Sequence, residues 1–535
     1  MRPRVRDPRL AVAFILLACA YSVGAAPAGA QVRSDPPEIR ALWIDAFHPS
    51  IRSMAEAEAV VAAATRANLN TLFVQVRRRG DALYLKGVEP PVEDSAYDPA
   101  FDGLDAIVGL AHRAGLQVHA WINAMPAWRD QAPPKDPRHV FNRHGPTRSG
   151  DDNWFTASPT GDHRFPVGYF LDPGHPAAAD YLVRIYLDIV RNYGVDGIHF
   201  DYIRYPETDE RLARGAGVGY NAVSLARFRR ATRRTDTPAP GDEQWTAWRR
   251  KQVTHLVRRI AIEARAISPR IKVSAALIPW GAPPTNERDF DEAAPMQRVF
   301  QDWHAWLRDG LLDLGVPMNY ARETDDRVRA WFDGWLAWEK RHKHGRQVAA
   351  GLGAYRNTPE DTLAQVARAR RPEKGHRLDG VSFFSYAAPR NPPDPSPNVN
   401  PPSALDPAAA ASDRLGYLAD GIGSVPAAFA NPAPVPSMPW IDRPTHGAII
   451  GAVNAPPGEG DGAIVKVKRA GFNLFARTRT LEADGNGVFG LTLVKPGRYR
   501  VRVERGGQVV ATTEARVTAG HVTRADVRLE MGDRQ

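Results

Sequence analysis

The sequence predicts an α/β fold, a (β/α)8 TIM barrel followed by a small all-β sandwich. Three observations carry that reading. From Ile39 to about Tyr386, eight short β-like runs alternate with amphipathic helical stretches, the pattern of parallel strands joined by crossover helices. In each of the first four runs one face is apolar, while the other turns polar and aromatic toward its C-terminal end. A barrel with its site at the C-terminal mouth requires that asymmetry. Beyond His446 the helical period gives way to short alternating runs separated by Gly and Asp turns, as in a sandwich of about 90 residues.

The predicted barrel strands are Arg40–Phe47, Thr71–Arg77, Gln117–Asn123, Gly197–Ile203, Lys272–Ile278, Leu312–Tyr320, Gln347–Tyr355 and Gly380–Tyr386. Helices are predicted over Met54–Asn68, Gly103–Ala114, Pro176–Tyr193, Gln244–Ala266, Gln301–Asp309, Asp326–Lys340 and Pro359–Arg370. In the first strand Leu42, Ile44 and Ala46 alternate with Trp43, Asp45 and Phe47. In the third, Val118, Ala120 and Ile122 alternate with His119, Trp121 and Asn123; in the fourth, Ile198 and Phe200 alternate with His199 and Asp201. An open doubly wound sheet more often buries apolar residues on both faces. No Gly-rich phosphate loop follows any strand, which argues against a nucleotide-binding fold. Trp331, Trp335 and Trp338 fall at i, i+4, i+7 and are assigned to a helix's core face.

Residues 1–30 read as an export signal: Arg2, Arg4, Arg6 and Arg9, then the apolar stretch Leu10–Ala20, then small residues up to Ala30. The apolar stretch is too short for an ordinary transmembrane helix. Cys19, in Leu16-Leu17-Ala18-Cys19, is either discarded by cleavage after Ala30 or becomes the lipidated first residue of a lipoprotein. The barrel domain is expected over 31–387, a Pro-rich excursion and linker over 388–442 with a helix near Ala408–Ala419, and the sandwich over 443–535. Its strands are predicted at Gly447–Val453, Ala463–Arg469, Leu474–Arg479, Val488–Leu493, Tyr499–Glu504 and Gln508–Thr513.

Composition excludes several classes. Seventy Lys and Arg against 60 Asp and Glu leave a net charge of +10, spread along the chain rather than clustered as a nucleic-acid site would have it. A single cysteine excludes a disulfide scaffold and a Cys-based redox pair.

Several segments together resemble the glycosyl hydrolase-like 10 family, the exported barrel proteins of family 10 lipoprotein type. They are Arg40-Ala41-Leu42-Trp43, Phe73–Arg77 with Gly80–Tyr84, Val118–Asn123, Val195–Pro206, Trp306–Asp313 and Pro317–Tyr320. Many relatives carry two adjacent aspartates in the fourth-strand motif, where this sequence has Asp201-Tyr202. The C-terminal module, through Asp484–Gly487, Phe489 and Pro496–Tyr499, resembles carboxypeptidase regulatory-like or transthyretin-like sandwiches. The family resemblance implies hydrolysis of a cell-envelope or extracellular polysaccharide, peptidoglycan glycan strands among them. The leader implies a periplasmic, outer-membrane or secreted location, and with no other stretch long and apolar enough to cross a membrane, membrane contact is expected only through an N-terminal lipid.

Glycoside cleavage normally uses two carboxyl groups. Asp201 is the first candidate, as nucleophile or base, with an ion pair to Arg77 or Arg204 as its structural alternative. Glu323, Asp45 and Asp81 are candidates for the partner acid, each of which could instead be an ion-pair or turn residue. Trp43, Trp121 and Trp280 at strand ends can stack on sugar rings or simply pack the core. Gln75, Arg77, His119, Asn123, His199, Asn319, Tyr320 and Tyr386 are candidate hydrogen-bonding residues for hydroxyls or an anionic substituent. No cofactor is expected. Two other functions compete: a non-catalytic glycan-binding envelope protein, and a metal-dependent deacetylase using His119, His199 and Asp201. The second lacks an HExxH or close His pair.

Overall fold

The computed structural model describes residues 34–208, 217–388 and 415–529, apart from 457 and 472–476. The leader with Cys19, the greater part of the predicted helix near Ala408, and Leu474–Ala476 of the third predicted sandwich strand lie outside the described residues.

Eight parallel strands close into a barrel: β1 (Ile39–Ile44), β2 (Thr71–Arg77), β3 (Gln117–Asn123), β4 (Gly197–Asp201), β5 (Lys272–Leu277), β6 (Leu314–Asn319), β7 (Gln347–Gly353) and β8 (Gly380–Phe384). β8 pairs back onto β1 from Ile39↔Gly380 to Trp43↔Phe384. The main outer helices are α1 (Met54–Arg66), α2 (Gly103–Arg113), α3 (Pro176–Asn192), α4 (Ala222–Thr232), α5 (Glu243–Ile267), α6 (Trp303–Arg308), α7 (Asp326–Arg341) and α8 (Pro359–Arg370). Side-chain caps fix their starts: Ser53, Asp102, Asn221, Asp242, Asp302, Asp325 and Thr358 each accept a backbone N–H of the first turn.

Strand parity divides the core in two. Leu42, Ile44, Leu72, Val74, Val118, Ala120, Ile198 and Phe200 join a large cluster with helix residues such as Val60, Ile107, Leu182 and Leu336. Ala41, Trp43, Phe73, Trp121, Ala276, Leu314, Val316 and Ala349 form a separate cluster inside the barrel. Two glycines make room there. A Cβ on Gly197 would sit 2.5 Å from the His119 ring, and one on Gly351 would sit 2.7 Å from the Trp43 ring. Trp335 and Trp338 are buried as expected, but Trp331 is only half-buried, with Arg327 over its ring at 5.2 Å.

The barrel's N-terminal end is closed by the chain that leads to the sandwich. Met438 joins the inner cluster, Trp440 Nε1 donates to Asp313 Oδ1 at 2.8 Å, and Gln347 donates to the Ser437 carbonyl at 3.0 Å. The sandwich follows as β9 (Gly447–Asn454), β10 (Ile464–Arg469), β11 (Arg479–Glu482), β12 (Val488–Val494), β13 (Gly497–Arg505), β14 (Gln508–Val517), β15 (Val522–Arg524) and β16 (Val527–Arg528). One sheet runs β12-β9-β15 with β16 also on β9; the other runs β11-β10-β13-β14. Of the third predicted strand, the described residues Arg477 and Thr478 lie outside any strand, and β11 begins at Arg479.

The sandwich docks on α5. Ile262 packs with Ala448 and Ile450, Lys251 pairs with Glu482 at 2.8 Å, and Asp461 pairs with Arg227 of α4 at 2.7 Å.

Candidate active site

β3 and β4 build the mouth side by side. Their register sets Trp121 opposite His199 and Asn123 opposite Asp201. Asp201 ends β4 on the inward parity and is 6% exposed. Its Oδ1 accepts the Tyr202 N–H at 2.6 Å and its Oδ2 accepts the Trp121 indole N–H at 3.1 Å. The indole also reaches Asn123 Oδ1 at 3.0 Å. Burial raises the Asp201 pKa to about 6, against the opposing pull of Arg204 and the two hydrogen bonds. No ion pair to Asp201 forms among the described residues. Arg77, one suggested partner, is bound to Glu89 at 2.8 Å.

Tyr202, next in the chain, has a left-handed backbone (φ 46°), a costly conformation for a bulky side chain. It packs 6.1 Å from Phe170, in the excursion after β3. The Arg204 guanidinium lies 4.4 Å from the Tyr202 ring centre and 5.2 Å from that of Trp280. Trp280, just past β5, is half-buried. On the far side Tyr320, Phe384 and Tyr355 form a half-buried aromatic group with centroids 5.5–6.1 Å apart. Phe384 also reaches Trp121 at 6.3 Å. The mouth thus brings together Asp201, Trp121, Asn123, Trp280 and Tyr320, with Tyr202, Arg204, Tyr355 and Phe384 as additions.

Other candidates are placed elsewhere. His119 and His199 lie beneath the mouth, 1% and 0% exposed, and cannot touch a sugar. His199 Nε2 accepts the Trp43 indole N–H at 3.0 Å, so its proton sits on Nδ1, 2.9 Å from Ser274 Oγ. The same hydroxyl lies 2.8 Å from His119 Nδ1. Burial lowers the pKa of His119 to about 3 and that of His199 well below the ordinary range, so both are neutral. Trp43 is equally buried, between His199, Phe73 and Phe384, and packs the interior rather than stacking on sugar. An eight-stranded barrel has no lumen, so inward polar groups must satisfy one another.

Gln75 and Arg77 are scaffold. Gln75 Oε1 accepts the Ala46 N–H at 2.9 Å, and Arg77 donates to the carbonyls of Ala124 and Pro126 at 3.1 Å, anchoring the loop after β3. Asn319 points outward, donating to both oxygens of Glu339 at 3.0 Å. Tyr386 packs into the outer core.

The partner acids separate likewise. Glu323 is held by Gln365 Nε2 at 3.0 Å and by Arg368 of α8, an ion pair that removes it as a free acid. Asp81 is bound to Arg78 at 2.8 Å. Asp45 stays at the mouth, its Oδ1 taken by the Phe47 N–H and His48 Nδ1 at 3.0 and 2.7 Å. A cleft of about 460 Å³ lies at the opposite end of the barrel, between Lys272, Arg270 and the strap Val435–Asp442, away from this chemistry.

A closed parallel barrel with a buried carboxyl and an aromatic lining at its C-terminal mouth defines a glycosidase-like α/β-barrel protein. The sequence profile of the Glycosyl hydrolase-like 10 family matches residues 38–353, and the chain belongs to that family. It is 24% identical over 385 residues to "Glycosyl hydrolase DigH" of Escherichia coli strain K12, covering 62% of this chain and 80% of that one. Identity to "Glycosyl hydrolase YngK" of Bacillus subtilis strain 168 is 24% over 448 residues, covering 78% and 76%. A solved structure it resembles is the PgaB (BpsB) glycoside hydrolase domain from Bordetella bronchiseptica, with TM-score 0.47, 14% identity, and coverage of 66% and 94%.

Proposed function

We propose that this protein is an exported glycoside hydrolase acting on a cell-envelope polysaccharide, with peptidoglycan glycan strands as the substrate class. The observation that supports it best is Asp201: a buried carboxyl at the end of β4 whose pKa is raised to about 6. Such a group keeps its proton in mildly acid surroundings and can deliver it to the leaving glycosidic oxygen. The expected nucleophile-or-base role is therefore revised to that of proton donor. Asp45, the one expected partner acid still at the mouth, is the candidate second carboxyl. Trp280, Tyr320 and Phe384 supply apolar faces for sugar rings. The basic, apolar and small-residue leader over 1–30 supports export, with Cys19 as the site of a lipid anchor.

The test is Asp201→Asn on purified peptidoglycan strands, with and without stem peptides, read as release of reducing ends. Loss of about 100-fold or more is expected for removal of a general acid. A folded variant that cuts at the wild-type rate refutes the assignment.

A second reading, a glycan-binding envelope protein, is favoured by one observation: Glu323 and Asp81 are committed to arginines and Asp45 to His48. Strand binding by the wild type without release of reducing ends would establish it.

A further inference from the structure

Arg204 differs from the buried arginines Arg77 and Arg249. Arg77 and Arg249 spend their guanidinium hydrogens on carboxylates, carbonyls or hydroxyls, Arg77 leaving one nitrogen unused. Arg204 is 3% exposed, yet its Nε and Nη1 have no hydrogen-bond partner among the described residues. Its ion pair among the described residues, Nη2 to Glu207 at 3.4 Å, is long, and the Glu207 side chain is 35% exposed. A guanidinium cannot escape burial by losing its proton, so unpaired donors here carry a full desolvation cost. The group lies between the faces of Tyr202 and Trp280, and it is the strongest charge acting on Asp201. The mouth is cationic beyond it: Arg79 makes no ion pair among the described residues, and its field also reaches Tyr202.

We propose that Arg204 is a specificity-determining residue that binds a carboxylate carried by the sugar seated beside Asp201. The proposal deepens the hydrolase reading of the same site and rests on it for the glycan. A planar carboxylate can face the Nε/Nη2 edge or the Nη1/Nη2 edge of the guanidinium, and on either edge it fills one of the two unused donors. One negative charge suffices, because Asp201 is neutral when it holds the proton. The flanking rings hold the sugar to which the carboxylate is attached. The carboxylate has two possible sources, an ether-linked lactyl group, as on muramic acid freed of its stem peptide, or the ring carboxylate of a uronic acid.

The experiment uses the full-length Asp201→Asn protein, so that ligands are not consumed, and calorimetric binding. The probes are peptidoglycan strands stripped of stem peptides, polyglucuronic acid, and each polymer after carbodiimide coupling to methylamine, which neutralises its carboxylates. Tenfold or greater weakening on amidation is expected for whichever polymer carries the right carboxylate, and that polymer identifies the source. In Arg204→Met on the same background, amidation should cost nothing further, a non-additivity that assigns the carboxylate to this side chain. Equal binding of free and amidated forms overturns the proposal, as does absence of binding to both polymers. So does an Arg204→Met protein that still discriminates tenfold. The amidation arm needs no second substitution, so misfolding of the arginine variant does not protect the idea. Release of reducing ends by the wild type is measured in parallel. Carboxylate-dependent binding without hydrolysis removes the enzyme and leaves the Arg204 site standing.

Discussion

The Trp121 indole N–H is shared between Asp201 Oδ2 at 3.1 Å and Asn123 Oδ1 at 3.0 Å, tying the ends of β3 and β4 together around one carboxyl. A donor aimed at a carboxylate stabilises the ionised form. Replacing Trp121 with Phe keeps a ring at the mouth and deletes the donor. The Asp201 pKa should then rise above about 6, and the alkaline limb of the activity profile should move to higher pH. A purely structural role for Trp121 would lower activity evenly across pH, so the profile separates the two.

In the wild type the sign of the pH dependence follows from the direction of the shift. Asp201 is a proton donor only while protonated, so kcat/KM should fall tenfold per pH unit above about pH 6. Arg204 lowers that pKa. Arg204→Met should therefore shift the fall upward while raising KM for carboxylate-bearing strands. A limb that does not move with either Trp121→Phe or Arg204→Met would mean that another group controls it.

Below the mouth, the Trp43 to His199 hydrogen bond spans the barrel from β1 to β4. Trp43→Phe leaves His199 Nε2 as a buried acceptor without its donor and opens a void. Destabilisation of about 2–4 kcal/mol is expected, read as a lower urea midpoint. Because Trp43 is 1% exposed, buried beneath the mouth, KM for strands should hold. A KM rise without loss of stability would restore the stacking role its strand-end position suggested.

Much of this architecture was legible because alternation and turn chemistry report local structure directly. β2 and β3 have the predicted limits, and Asp201 stands where the fourth-strand parity placed it. The same parity misled at His119, His199 and Gln75: an inward polar side chain looks alike in sequence whether it meets a ligand or another core group. At Arg77 a bulge after Gln75 breaks the parity, setting Arg77 opposite the outward Ile122 and against Glu89. Asn319 was missed for a different reason. It ends β6 as a polar residue, yet Val316 and Met318 fix the phase that turns it outward, toward a partner 20 residues on in α7. Arg204 was visible in the motif but entered only as an ion-pair partner in the structural alternative for Asp201, since sequence does not show that its donors stay unused among the described residues. Helix α4 follows a loop without apolar period and carries four arginines over Ala222–Arg233, so its core stripe is thin.

Glu339 gives the last prediction, of stability rather than activity. It is 1% exposed, and burial raises its pKa to about 8 despite two hydrogen bonds from Asn319 and the nearby charge of Lys340. The folded pKa lies above the unfolded one, so the folded chain binds the extra proton between about pH 4.5 and 8. Stability from this group is thus fully present below the unfolded pKa and is lost as pH rises through about 8. Neutral buried histidines such as His119 work in the opposite direction, but their contribution is complete once pH exceeds the ordinary histidine value of about 6.5. From there to about pH 8.5, the decline should be dominated by Glu339. Glu339→Gln keeps a side-chain oxygen for Asn319 and removes the titration. It should raise the unfolding free energy at pH 8.5 by an amount on the order of 2–4 kcal/mol, with a smaller effect or none at pH 5. Thermal or urea unfolding of both proteins at the two pH values decides it, and parallel curves with the same pH slope would show that Glu339 is ionised in the fold throughout.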